Sequence, residues 1–151
     1  MEQTIRQAAQ TDASRVAEII ITNYRVNFYP IFQNDAFYFS ELNVADAIQQ
    51  YREDPLILEN TYVFEENGIV KGVLRMNGTE IEKLFVEPTF QNQQIGAKLL
   101  HFAVERLGAD HLWVLEKNPR AVRFYQRNGF RLTQQKKLEE DTTEYLLQMI
   151  K

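Results

Sequence analysis

Two Asn-Gly pairs, Asn67-Gly68 and Asn77-Gly78, constrain the fold of this chain more than any other feature. A two-residue hairpin of type I′ needs positive φ at both central residues, which asparagine and glycine tolerate best. The pairs therefore predict three antiparallel strands, over about 60–66, 69–76 and 79–86. The third strand ends Leu84-Phe85-Val86 and runs through a polar loop into Ile95, Leu99, Leu100, Ala103, Val104 and Leu107, which recur at helical spacing until Gly108. A helix start leaves backbone N–H groups without partners, so this junction suits an anion, and a phosphate in particular. Two familiar phosphate motifs are excluded. There is no Gly-Lys-Ser/Thr, and a dinucleotide fingerprint needs three glycines after a parallel strand, whereas Gly96 stands alone after an antiparallel one.

Around this unit, Ile5 to Ala8 reads as a first strand and Thr11-Asp12 as the cap of a helix running to about Val26. The stretch Tyr24 to Phe39 then holds seven of the eighteen aromatic residues. Asn43 followed by Asp46 predicts a second capped helix that stops near Pro55. After Gly108 the pattern predicts a strand over His111 to Glu116, a helix from Asn118 to Asn128 with Gly129 beyond it, and two strands near 130–136 and 143–150.

The length of 151 residues, a 44% apolar content and 25% charged residues fit one domain over 1–151 that buries about two thirds of its unfolded surface. A net charge of −4 argues against a nucleic-acid partner and favours a cationic small molecule. The absence of cysteine excludes disulfides, thiolate nucleophiles and thiolate metal sites, and two histidines are too few for zinc, so no metal is expected. His101 and His111 lack a catalytic partner at recognisable spacing and read as structural. The amino terminus lacks the pattern of a secretory signal and no segment is apolar enough to span a bilayer, so a cytoplasmic protein with no membrane partner is expected.

The loop Gln91-Asn92-Gln93-Gln94-Ile95-Gly96-Ala97 and the run Asn118-Pro119-Arg120-Ala121-Val122-Arg123-Phe124-Tyr125-Gln126-Arg127-Asn128-Gly129-Phe130 together closely resemble the GCN5-related N-acetyltransferase (GNAT) family. The order of elements matches along the whole chain. The resemblance implies an α/β (α+β) single-domain GNAT fold: a mixed central sheet of about seven strands, a splayed central strand pair, and about four helices on both faces. It implies acetyl-CoA as cosubstrate, held by the strand Leu84, Phe85 and Val86, by the loop Gln91 to Ala97, and by Asn118, Ala121, Phe124 and Tyr125. Pantetheine is amide-rich, so an unpaired strand edge can bond it as it would another strand. A backbone N–H near Val86 then meets the developing oxyanion. The family pattern departs at one point: its first loop glycine is Gln94 here. Main-chain N–H groups supply the bonds and any residue but proline carries one, so the exchange is expected to weaken the site without abolishing it.

In the family the tyrosine protonates the departing thiolate. Tyr125 fills that place, and a phenol near ~10 is close enough in pKa to a thiol near ~8.5 for transfer. A general base is expected from Glu82 or Glu80, which lie at period two with Leu84 and so share its face, with Glu116 on the neighbouring strand as a further carboxylate. Arg120, Arg123, Arg127 and Lys98 either reach the 3′-phosphate of the cosubstrate or form solvated helix faces. The acceptor is an amine of a small molecule or a peptide, expected to enter along the aromatic segment past Tyr24, Tyr29 and Tyr38. A homodimer is compatible with the sequence, which leaves the oligomeric state open. The reading is therefore an acetyl-CoA-dependent N-acetyltransferase working by direct attack. The alternative is a non-catalytic acyl-CoA-binding or regulatory module on the same fold.

Overall fold

The computed structural model describes residues Glu2–Lys151. Seven strands form one sheet: Gln3–Gln7 (β1), Thr61–Glu66 (β2), Ile69–Asn77 (β3), Glu80–Val86 (β4), His111–Leu115 (β5), Arg131–Leu138 (β6) and Tyr145–Ile150 (β7), in the order β1-β2-β3-β4-β5-β7-β6. Four longer helices, Ala13–Asn27 (α1), Val44–Glu53 (α2), Ile95–Leu107 (α3) and Pro119–Arg127 (α4), cover it. The alternation of strand side chains splits the core in two. Phe64, Leu74 and Ile81 meet Ile95, Leu99, Leu100 and Ala103 of α3 on one face, with α4 packed against the same cluster. Val63 and Val73 meet Val16, Ile19 and Ile20 of α1 on the other.

The expected elements form with small shifts. Asn43 caps α2 through its side-chain oxygen, which accepts the Asp46 N–H at 2.9 Å. Gly108 ends α3 with φ 72°, and Asn118 caps α4 through its side-chain oxygen, which accepts the Ala121 N–H at 3.3 Å. Asn67-Gly68 has the expected positive φ at both residues, 53° and 81°. The second turn differs: only Gly78 is left-handed, at 60°, because Asn77 stays in β3 opposite Glu80.

Asp12 also departs from its expected role. It precedes α1 but makes no capping bond to it. Its carboxylate instead accepts two bonds from the Arg6 guanidinium, at 2.8 and 3.0 Å, and one from the Ala9 N–H at 2.8 Å. Arg6 foremost, then the Ala9 N–H, hold the carboxyl below its ordinary range against the opposing effect of burial. A depressed carboxyl stabilises the fold above its unfolded pKa of about 3.9, and this contribution fades as pH falls through the folded value. Asp12→Asn is therefore expected to cost about 1–2 kcal/mol at neutral pH, discounted because Arg6 is partly exposed. In urea titrations at a series of pH values, the gap between variant and parent should close below about pH 4.

The central pair sets the site. β4 and β5 are the only parallel neighbours among the described strands, and they pair only at Glu80 with His111 and Ile81 with Leu112. Beyond those residues the strands part, as the splayed pair requires.

Candidate active site

Hydrogen-bond direction decides what β4 presents to the gap. Glu87 N–H donates to the Lys71 carbonyl at 2.9 Å, and Val73 stands opposite Phe85. In an antiparallel ladder alternate residues turn their peptide groups to the same side. Lys83, Phe85 and Glu87 therefore face β3, while Leu84 and Val86 turn N–H and C=O toward the side that β5 has left. These main-chain groups line a cleft of about 1600 Å³, larger than the ~300–1,000 Å³ of an ordinary small-ligand site. Leu112 to Leu115 form the opposite strand wall.

The junction between β4 and α3 closes one end. Among the described residues no side chain caps the start of α3, and no acidic residue stands in its first turn, so the N–H groups of Ile95, Gly96 and Ala97 lie at an open dipole end. Gln91, Asn92, Gln94, Ile95, Gly96 and Ala97 line the cleft, whereas Gln93 lies outside its walls. Arg120 leans over this loop, its Nη2 3.5 Å from the Gln91 side-chain oxygen.

The loop also shows why glycine suits position 94. Gln94 is left-handed, with φ 66° and ψ 15°. That conformation costs an ordinary residue on the order of 1–2 kcal/mol. Close approach of a ligand was the expected reason for a glycine there; backbone conformation is a second one that the sequence did not reveal. Gln94→Gly is thus expected to raise stability by about 1 kcal/mol, read as a melting temperature about 2–4 °C higher in calorimetry.

Asn118, Ala121, Phe124 and Tyr125 of α4 face the same cleft. The Asn118 carbonyl oxygen is used in the cap, and its Nδ2 has no protein partner among the described residues. Tyr125 packs edge-on against Phe124, with ring centroids 5.1 Å apart, and Phe130, at 5.9 Å. Its hydroxyl lines the cleft without a protein partner among the described residues. Burial pushes the phenol well above its ordinary pKa, which departs from the unshifted acid expected from sequence. The group is therefore neutral throughout the physiological range and holds a proton available for donation.

The carboxylates lie differently from expectation. Arg75 pairs with Lys83 but Met76 pairs with Ile81, so Glu82 is the extra residue of a bulge. The bulge breaks the period of two. Ile81 and Leu84, three residues apart, pack on the α3 face, so Glu80 and Leu84 do not share a face. Glu82 lines the cleft with its side chain 40% exposed and its carboxylate 3.9 Å from Lys83 Nζ. Glu80 also reaches the cleft wall, and its carboxylate lies 3.8 Å from His111 Nε2, while Asp110 Oδ1 contacts His111 Nδ1 at 2.6 Å. His111 thus has acidic neighbours on both ring nitrogens, which its strand-start position gave no reason to expect. The contact with His111 is the main cause of a lowered Asp110 pKa. Glu116 is exposed and stands outside the cleft wall.

The aromatic segment folds as a short helix, Tyr29–Phe32, and a π-helical turn, Phe37–Glu41. Arg25 ties it to α1 by donating to the carbonyls of Tyr38, at 2.9 Å, and Leu42, at 3.2 Å. Tyr24 and Tyr38 line the cleft; Tyr29 does not, because its ring packs on Tyr38 and Phe39 and its hydroxyl bonds to Asp35. Lys83 Nζ donates to the Tyr24 hydroxyl at 2.7 Å. Tyr38 is buried, and burial is the main cause of its raised phenol pKa, with Tyr24 and Glu139 adding to it. The connection between β6 and β7 brings Glu139, Glu140 and Asp141 to the same cleft.

The sequence reading placed one further residue on a helix face without giving it a role. Asn23 falls in the apolar stripe of α1, yet its side chain reaches the end of β4 and donates to the Val86 carbonyl at 3.0 Å. A single asparagine within an apolar face was the only signal.

Comparison with known proteins places the arrangement. The family model of the acetyltransferase (GNAT) domain matches residues 58–132, which run from the strands before the cleft through α3 and α4. The peptidyl-lysine N-acetyltransferase YiaC of Escherichia coli (strain K12) is 32% identical over 88 residues, 58% of this chain and 60% of that protein's length. Among solved structures, an N-acetyltransferase from Staphylococcus aureus Mu50 superposes with a TM-score of 0.77 at 16% identity, covering 97% of this chain and 99% of its own. The PaiA N-acetyltransferase from Thermoplasma acidophilum, in complex with coenzyme A, superposes with a TM-score of 0.69 at 18% identity, covering 98% of each chain. The splayed strand pair, the open start of α3 and these likenesses agree: the chain belongs to the GCN5-related N-acetyltransferase family.

Proposed function

We propose that this protein transfers an acetyl group from acetyl-CoA to a primary amine of a small molecule or peptide. The observation that carries the reading is the cleft itself. Main-chain groups of Leu84 and Val86 that β5 leaves unpaired lie at its middle, between the open start of α3 and the Tyr125 hydroxyl, which has no protein partner among the described residues. The relatives support it, since PaiA is bound to coenzyme A and YiaC is a peptidyl-lysine N-acetyltransferase. Pyrophosphate oxygens accept from the N–H groups at Ile95 to Ala97. The pantetheine amides pair with the edge of β4, and the Nδ2 of Asn118 is a further donor for them. Arg120 adds positive charge beside the loop.

The chemistry follows from what then lies together. The neutral amine attacks the thioester carbonyl carbon, and a C–N bond forms as the C–S bond breaks. The Val86 N–H donates to the carbonyl oxygen as it gains charge. Tyr125 gives its proton to the departing thiolate, and Glu82, directly or through water, takes the proton lost by the amine; Glu80 is the second choice. No covalent enzyme intermediate is needed. Glu82, Glu139, Glu140 and Asp141 give the acceptor side a negative character that attracts a cationic amine, with Tyr24 and Tyr38 as aromatic walls.

The test is a turnover screen of acetyl-CoA against amines and lysine peptides, following free thiol and confirming the acetylated product by mass. Thiol release that depends on an amine, with matching product, supports the reading. Binding of acetyl-CoA with no turnover across the panel favours the non-catalytic module.

A further inference from the structure

We infer that Asn23 is a positioning residue of the acetyl-transfer site. It holds the last residue of β4 so that the thioester oxygen meets the Val86 N–H and not a bare carbonyl. The inference rests on the acetyl-transfer reading and deepens it.

Asn23 is 2% exposed and stands among Val16, Ile19 and Ile20 on the face of α1 that packs against the sheet. An asparagine there costs helix propensity and must have its amide satisfied. Every part of that amide is engaged. Nδ2 donates to the Ile19 carbonyl at 2.8 Å and to the Val86 carbonyl at 3.0 Å, and Oδ1 accepts from Asn27 Nδ2 at 3.3 Å. The first of these bonds lies within the helix and fixes the rotamer. The second crosses to the strand, at the point where β4 has lost its neighbour.

The peptide after Val86 is thereby held at both ends. Its carbonyl is taken by Asn23, and its N–H, that of Glu87, donates to Lys71 at 2.9 Å. Val86 turns its own N–H to the same side as its carbonyl. Left uncovered, that carbonyl would place a negative dipole end beside an oxygen gaining negative charge. Covered by Nδ2, it leaves the N–H as the group the reaction meets. A buried apolar residue would satisfy the packing of α1 equally well, so the polar choice answers a need of the strand.

The test uses the full chain with Asn23→Leu, which keeps side-chain size, and Asn23→Asp, which keeps shape but removes the donor. With the amine found for the parent, the Leu variant is expected to lose about 10- to 100-fold in kcat. Its affinity for coenzyme A, which has no acetyl oxygen, should stay within about threefold. In the ligand-free Leu variant the carbonyl carbon resonance of Val86 should move upfield, reporting the lost bond. Asn23→Asp should lose at least as much kcat; if it fails to fold, the Leu variant decides alone. Parent-like kcat in a folded Leu variant overturns the proposal. So does a parallel fall in coenzyme A affinity and melting temperature with kcat per folded molecule unchanged, the mark of a packing role. If the parent itself turns over no acetyl-CoA, the underlying reading falls first and this inference falls with it.

Discussion

Tyr125→Phe is expected to lower kcat by ~10²–10⁴-fold while leaving the affinity for coenzyme A nearly unchanged. The substitution keeps the ring that packs on Phe124 and Phe130 and removes only the hydroxyl, which has no protein partner to lose among the described residues. Stability should therefore hardly move, and the loss falls on the step in which the thiolate departs. The pH profile adds a second check. Burial holds the phenol above its ordinary value of about 10, so the group stays protonated throughout the working range. Turnover should therefore show no alkaline fall from Tyr125 below about pH 10, and any rise from low pH belongs to the amine and its base. A Phe variant with parent kcat would remove Tyr125 from the mechanism.

The second large effect is expected at Gly96. A side chain begun there would place its Cβ 3.4 Å from Phe124 Cζ and 3.6 Å from Val86 Cγ2. A single methyl would be tolerated, but the two γ-methyls of valine reach further into a contact that is already close. Gly96→Val must push α4 from α3 or displace the end of β4, and overpacking of this kind costs about 1–3 kcal/mol. Both movements deform the cleft at the first turn of α3. We expect coenzyme A affinity to fall about 10- to 100-fold, equivalent to ~1.4–2.8 kcal/mol, together with a lower melting temperature. Calorimetric titration at parent affinity would show that the first turn of α3 takes no part in binding.

The elements of this fold were legible because their signals are local. Asn67-Gly68 needs nothing beyond itself to turn, Gly108 needs only to end a helix, and Asn118 caps α4 with its own side chain. The splay of β4 from β5 came with the family pattern and is present in the pairing. What the sequence concealed depends on partners far along the chain. The bulge at Glu82 arises from register against β3, and no period count over β4 alone can locate it. Asp12 looks like a cap until Arg6 claims its carboxylate. His111 reads as isolated until β4 brings Glu80 to it. The aromatic segment was legible as a cluster, but its division into Tyr24 and Tyr38 at the cleft and Tyr29 packed on Tyr38 and Phe39 depends on how the end of α1, a short helix and a π-helical turn fold together, which composition does not encode.

Whether the gap between β4 and β5 holds acetyl-CoA is read most directly by titrating isotopically labelled protein with coenzyme A and following backbone amide resonances. Saturable shifts are expected to concentrate at Leu84 and Val86, at Ile95 to Ala97 and at Asn118 to Tyr125, with the edge strand β1 unmoved. Saturable binding whose shifts fall elsewhere, or no binding at millimolar coenzyme A, would contradict occupancy of the gap.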